Sequence, residues 1–133
     1  MKWPRYPAFS ILAAFVLTLS ISTVSASEAT ESLLLEYQSS AGAPFTLEAG
    51  QALWSKGVDG RSCTSCHSPS VKTKGQHKRT GKIIEPMAPS INTSRLTSPR
   101  KIKKWLLRNC KWTFGRECTA QEKGDILLWL SHQ

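Results

Sequence analysis

Chemistry-bearing side chains are densest at Cys63-Thr64-Ser65-Cys66-His67. Two thiols three positions apart, followed at once by an imidazole, form C-x-x-C-H, the attachment sequence for c-type haem. The spacing lets both thiols reach the two vinyl groups of one haem edge and close thioethers. The adjacent imidazole of His67 then swings under the iron as proximal ligand. A thioredoxin-like dithiol would need a βαβ setting, and none is legible here. A zinc site would need a matched second pair of ligands, and Cys110 with Cys118 makes a poor one. The motif therefore reads as the anchor of one covalently attached haem c, held by Cys63 and Cys66 with His67 on the iron.

Two cysteines are left over. In an oxidising compartment Cys110 and Cys118 are expected to pair, closing a short loop whose constraint on the unfolded chain is worth about 2.5 kcal/mol. The sixth iron ligand is less determined. Met87 lies in Glu85-Pro86-Met87-Ala88-Pro89, soon after His67. There a Pro-rich turn is expected to pack the proximal side, with a prolyl carbonyl accepting from the His67 ring N–H. His77 sits in the basic, Gly-containing stretch 72–82, and His132 at a fraying end. Asn109 lies at a separation from His67 suited to a distal ligand, on the face of Ile102, Trp105 and Leu106. It could equally cap the end of its own helix. Residue types and spacing alone leave Asn109, Met87 and an open or His/Lys-ligated iron as alternatives.

The elements that must carry these residues are helical. One helix is expected over residues 28–39, with Ser27 as N-cap and Leu33, Leu34 and Tyr37 along one side, ended by Ala41-Gly42-Ala43-Pro44. A second follows Thr46 and contains Gly50, a costly residue in a helix unless another helix approaches closely. Ser98 and Pro99 open a third. Thr119-Ala120-Gln121-Glu122 is a capping box opening a fourth, whose apolar side is Ile126, Leu127, Trp129 and Leu130. No segment alternates convincingly as a strand. The expectation is an all-α, class-I-like cytochrome c fold with an additional N-terminal helix.

The chain has 133 residues, enough for one compact domain, and 20% charged with 40% apolar residues excludes wholesale disorder. Lys2 and Arg5 precede an uncharged stretch most apolar at residues 11–19, and Val24-Ser25-Ala26 supplies small residues for a signal peptidase. Residues 1–26 therefore read as a signal peptide, and 27–133 as a monohaem cytochrome c domain, exported and not stably inserted in a membrane. An uncleaved anchor is the rival, but the apolar part is short and diluted by Ser and Thr. The formal charge is +9, and between His67 and Glu117 the only acidic residue is Glu85. An exported haem protein with this charge points away from nucleic acid and towards an acidic redox partner.

A family resemblance rests on Arg108-Asn109-Cys110, Gly115-Arg116-Glu117-Cys118-Thr119 and Glu122-Lys123-Gly124-Asp125-Ile126-Leu127. It continues upstream through Thr80-Gly81-Lys82, Ile84, Pro86, Ala88-Pro89-Ser90 and Lys104-Trp105-Leu106. Over essentially all of residues 27–133 the chain resembles the sphaeroides haem protein (SHP) family, high-spin monohaem cytochromes c of bacterial periplasms. The resemblance implies that Asn109 ligates the ferric iron and that Cys110 and Cys118 are the family's disulfide pair. It also implies release of the asparagine on reduction, binding of oxygen or nitric oxide, and electrons from a dihaem cytochrome c. An oxygen- or nitric-oxide-reactive oxidoreductase, a gas or redox sensor without turnover, and a plain His/Met electron shuttle are the activities left in play.

Overall fold

The computed structural model describes Met1 and residues 27–133, so the segment read as a signal peptide lies outside the described residues. Helices α1 (Glu28–Gln38), α2 (Leu47–Ser55), α3 (Thr64–His67), α4 (Pro99–Phe114) and α5 (Ala120–Ser131) make up most of it, and the all-α class is as expected. Each long helix begins where a side chain can accept an otherwise unpaired backbone N–H. Ser27 accepts from Thr30, Thr46 from Ala49, Ser98 from Lys101 and Thr119 from Glu122. At Thr119 the capping box is closed, because the Glu122 carboxylate also accepts the Thr119 N–H at 2.8 Å.

α5 is the central element, with Gly124 through Leu127 and Trp129 through Ser131 all buried. α1 and α2 both lie on it. Gly50 explains the approach of α2: a Cβ there would fall 2.1 Å from the Asp125 carbonyl oxygen and 2.6 Å from Trp129 Cβ. The close helix contact expected at Gly50 is thus found. Asp125, buried, turns its carboxylate to the Thr46 N–H at 2.9 Å and so ties the start of α2 to α5. One core cluster joins Ala29, Leu33 and Tyr37 of α1 to Ile102 and Leu127, and a second joins Trp54, Val71, Ala88, Ile126, Trp129 and Leu130.

Two features differ from the sequence reading. α4 does not stop near Asn109 but continues to Phe114, where Gly115 at φ 69° ends it with its N–H bonded to the Lys111 carbonyl. Asn109 is therefore a mid-helix residue and not a C-cap. The basic stretch after His67 also contains a short antiparallel pair, β1 (Gly75–Gln76) against β2 (Ile83–Ile84), with Gly75 opposite Ile84. Two-residue strands show no alternation for a sequence to reveal.

Candidate haem centre

The C-x-x-C-H run forms the single turn of α3. The Cys63 carbonyl accepts the N–H of Cys66 at 3.3 Å and of His67 at 3.0 Å, so both cysteines lie on one side of the turn. Ser62 holds its entry, its N–H bonded to Ser65 Oγ at 3.0 Å. Ser68, at φ 66°, turns the chain away after His67. β1 braces the turn from behind: a Cβ on Gly75 would lie 2.0 Å from the Cys66 carbonyl oxygen and 2.8 Å from His67 Cα. Between α3 and the strand pair is an open cleft of about 600 Å³ lined by Ser65, Cys66, Lys74, Gln76 and Lys78.

Burial pushes the Cys63 thiol up to about 11, against the opposing effect of a hydrogen bond with Thr113 of α4. His67 is lowered to about 4, first by burial and then by the positive charges of Arg95 and His77. At neutral pH its ring is uncharged and keeps the lone pair that a metal needs. The Trp54 ring lies 5.3 Å from it, tilted 43°, and Trp129 lies 5.5 Å beyond Trp54. Trp54 Nε1 and His67 Nδ1 are both buried with no hydrogen-bond partner among the described residues.

No prolyl carbonyl of this turn is bonded to His67, and that of Pro86 is otherwise engaged. Pro86 accepts from Arg95 Nε at 2.9 Å and from Asn92 Nδ2 at 3.4 Å. The neighbouring turn is fixed by the N–H groups of Met87 and Ala88, both donating to the Val71 carbonyl. Met87 packs on the cluster of Trp54, Val71, Ala88 and Trp129. His77 accepts the Thr80 N–H at 3.2 Å through Nδ1 and closes the loop between β1 and β2. His132 holds the end of α5, its Nδ1 2.9 Å from the Leu128 carbonyl.

Asn109 is half-buried on α4, at the border between the buried stripe of Ile102, Cys110 and Thr113 and an exposed pair of tryptophans. Those are Trp105, one turn before it and 51% exposed, and Trp112, about one turn after it and 41% exposed. Just past Asn109, α4 approaches the segment that leads into α3, where the Arg61 guanidinium lies 5.8 Å from the Trp112 ring. Cys110 and Cys118 are disulfide-bonded and buried. Three contributors to the site were not picked out from sequence as such. Trp54 and Gly75 act through contacts remote in sequence, and Arg95 read simply as one of many cations. The richness in tryptophan, five in this chain, was the one available hint of aromatic packing.

This donor set fits a haem c. Two thiols share one side of a turn, and an imidazole that is neutral at pH 7 follows at once. Two large tryptophans flank Asn109 with apolar surface that a porphyrin face could cover.

A family model described as a domain of unknown function, DUF1924, matches residues 40–130. The cytochrome c-type protein SHP of Cereibacter sphaeroides is 45% identical over 106 residues, spanning 76% of this chain and 81% of that protein. The structure of oxidised SHP, described as an oxygen-binding cytochrome c, superposes with a TM-score of 0.72 at 43% identity, covering 78% and 96% of the two chains. The solution structure of cytochrome c'' from Methylophilus methylotrophus, a protein studied for haem-ligand detachment, gives 0.65 at 27% identity over 78% and 93%.

Proposed function

Because the chain belongs to the SHP family of c-type cytochromes and its cofactor is therefore haem c, we propose that His67 and, in the oxidised protein, Asn109 ligate the iron, with Asn109 released on reduction. The haem, held through Cys63 and Cys66, supplies a redox-active iron that can take a small diatomic ligand such as oxygen or nitric oxide. The observation that carries the reading is the contrast between the two nearest rivals. Asn109 stands half-buried between the exposed Trp105 and Trp112, whereas Met87, equally half-buried, packs on the core cluster of Trp54, Val71 and Ala88. A carboxamide oxygen is a hard donor that prefers ferric to ferrous iron, so reduction weakens its hold. Detachment of a haem ligand in cytochrome c'' and oxygen binding by SHP are the corresponding properties of its relatives.

Electrons come from an acidic redox protein, for which family resemblance supplies a dihaem cytochrome c. Lys72, Lys78, Arg79 and Lys82 support this, since none of them forms an ion pair among the described residues and Lys78 lines the cleft beside Cys66. Export to the periplasm is supported by the layout of residues 1–26. No helix among the described residues is long and apolar enough to cross a membrane.

Two variants test the ligand assignment. Asn109→Ala is expected to keep covalent haem, read as the alkaline pyridine haemochrome, but to change the ferric absorption spectrum. Met87→Leu is expected to leave that spectrum unchanged and to cost about 1.5 kcal/mol or less, as a near volume-conserving swap. Loss of the sixth-ligand signature in Met87→Leu, with Asn109→Ala unaltered, would overturn the assignment.

A further inference from the structure

Asn109 stands between two cation–aromatic pairs. Residues three and four apart are neighbours on a helix, so Trp105 and Trp112 lie on the side of α4 that carries Asn109. The Lys104 ammonium lies 5.5 Å from the centre of the Trp105 ring and the Arg108 guanidinium 5.6 Å from it, so one ring gathers two charges. Beyond Asn109, the Arg61 guanidinium lies 5.8 Å from the Trp112 ring, its charge partly offset by Asp59 at 3.9 Å. Lys104 and Arg108 are exposed and form no ion pair among the described residues, and α4 contains no carboxylate. The paired cations of this helix are others, Lys103 with Glu36 and Lys111 with Glu117. Like charges four apart destabilise a helix, so Lys104 and Arg108 are a poor choice for stability alone.

We propose that Lys104 and Arg108 are specificity-determining residues of the oxidised site, selecting small inorganic anions over neutral molecules as the ligand that replaces Asn109. The inference rests on Asn109 being the ferric ligand. An anion approaching Asn109 meets two positive charges that no carboxylate neutralises, and it is drawn in, whereas a neutral diatomic molecule is not. The same charges act on the anion once it is bound, because they stay gathered at Trp105 beside Asn109. Ligand choice then follows the redox state. The oxidised protein favours a monoanion such as azide, and the reduced protein takes a neutral diatomic ligand without help from these cations.

The test is the pair of dissociation constants of azide and of nitric oxide for the oxidised holoprotein, measured at low and at high salt. Lys104→Gln/Arg108→Gln is expected to weaken azide about tenfold at low salt, about threefold for each charge, and to leave nitric oxide within about twofold. High salt should bring parent and variant together for azide, because screening removes the attraction. Both side chains are exposed, so the glutamines leave the core untouched. Lys104→Arg/Arg108→Lys keeps both charges and is expected to hold azide within about twofold of the parent, which a role confined to packing would not predict. Azide and nitric oxide weakened equally, neither weakened, or azide lost in the charge-conserving variant would each overturn the proposal. The ferric spectrum of Asn109→Ala separates two failures. A changed spectrum there, with an unaltered azide preference in the glutamine variant, removes this inference alone. An unchanged spectrum removes the ligand reading and this inference with it.

Discussion

At Gly75 a single added carbon is decisive. Its Cβ would fall on the backbone of Cys66 and His67, at 2.0 and 2.8 Å, and backbone atoms cannot swing aside as a side-chain tip can. Gly75→Ala is therefore expected to push β1 off α3, lower the melting temperature by the equivalent of about 1–3 kcal/mol and shift the haem absorption bands. Gly42→Ala is the control: nothing lies within 4 Å of its added carbon, and its stability should be unchanged or slightly raised. Equal behaviour of the two variants would show that the brace does not matter. The same residue marks a limit of sequence reading. C-x-x-C-H is legible because its chemistry lies in local spacing. Gly75, Trp54 and Arg95 act only through tertiary contact, and in sequence they are a loop glycine, an aromatic residue on a helix and one cation among many.

At the scale of elements, helix starts are legible, and so is the end of α1, which stops at Gln38 ahead of Ala41-Gly42-Ala43-Pro44. Ser27, Thr46, Ser98 and Thr119 each cap the helix they were expected to open, because a cap is a local bond between a side chain and an N–H two or three positions on. For α4 the alternative of Asn109 as a C-cap falls, because the αL residue that terminates the helix is Gly115. The consequence concerns the disulfide. Cys110 lies inside α4, next to Asn109, and Cys118 directly precedes the N-cap of α5. The bridge therefore ties the body of α4, not its last residue, to the start of α5. Cys110→Ser/Cys118→Ser is expected to cost no more than a few kcal/mol, since the closed loop is short. It should also loosen Asn109 and raise the affinity or on-rate of azide for the oxidised protein. Unchanged azide binding with only a lower melting temperature would make the bridge a staple and nothing more.

At the scale of the molecule, α5 forms the centre, α1 and α2 lie against it, and the partly buried Leu96 and Leu106 touch both core clusters. The five ion pairs among the described residues, such as Lys103 with Glu36 and Arg116 with Glu122, lie largely at the surface, and such pairs add little stability. Cohesion comes from the apolar clusters, and Trp54 carries one of them to the His67 ring. Release of Asn109 on reduction would leave the iron open to a small ligand. An optical spectrum of the dithionite-reduced holoprotein, taken before and after adding carbon monoxide, tests it most directly. The expected result is a high-spin ferrous spectrum and prompt conversion to the carbon monoxide form. A low-spin reduced spectrum that carbon monoxide leaves unchanged would contradict it.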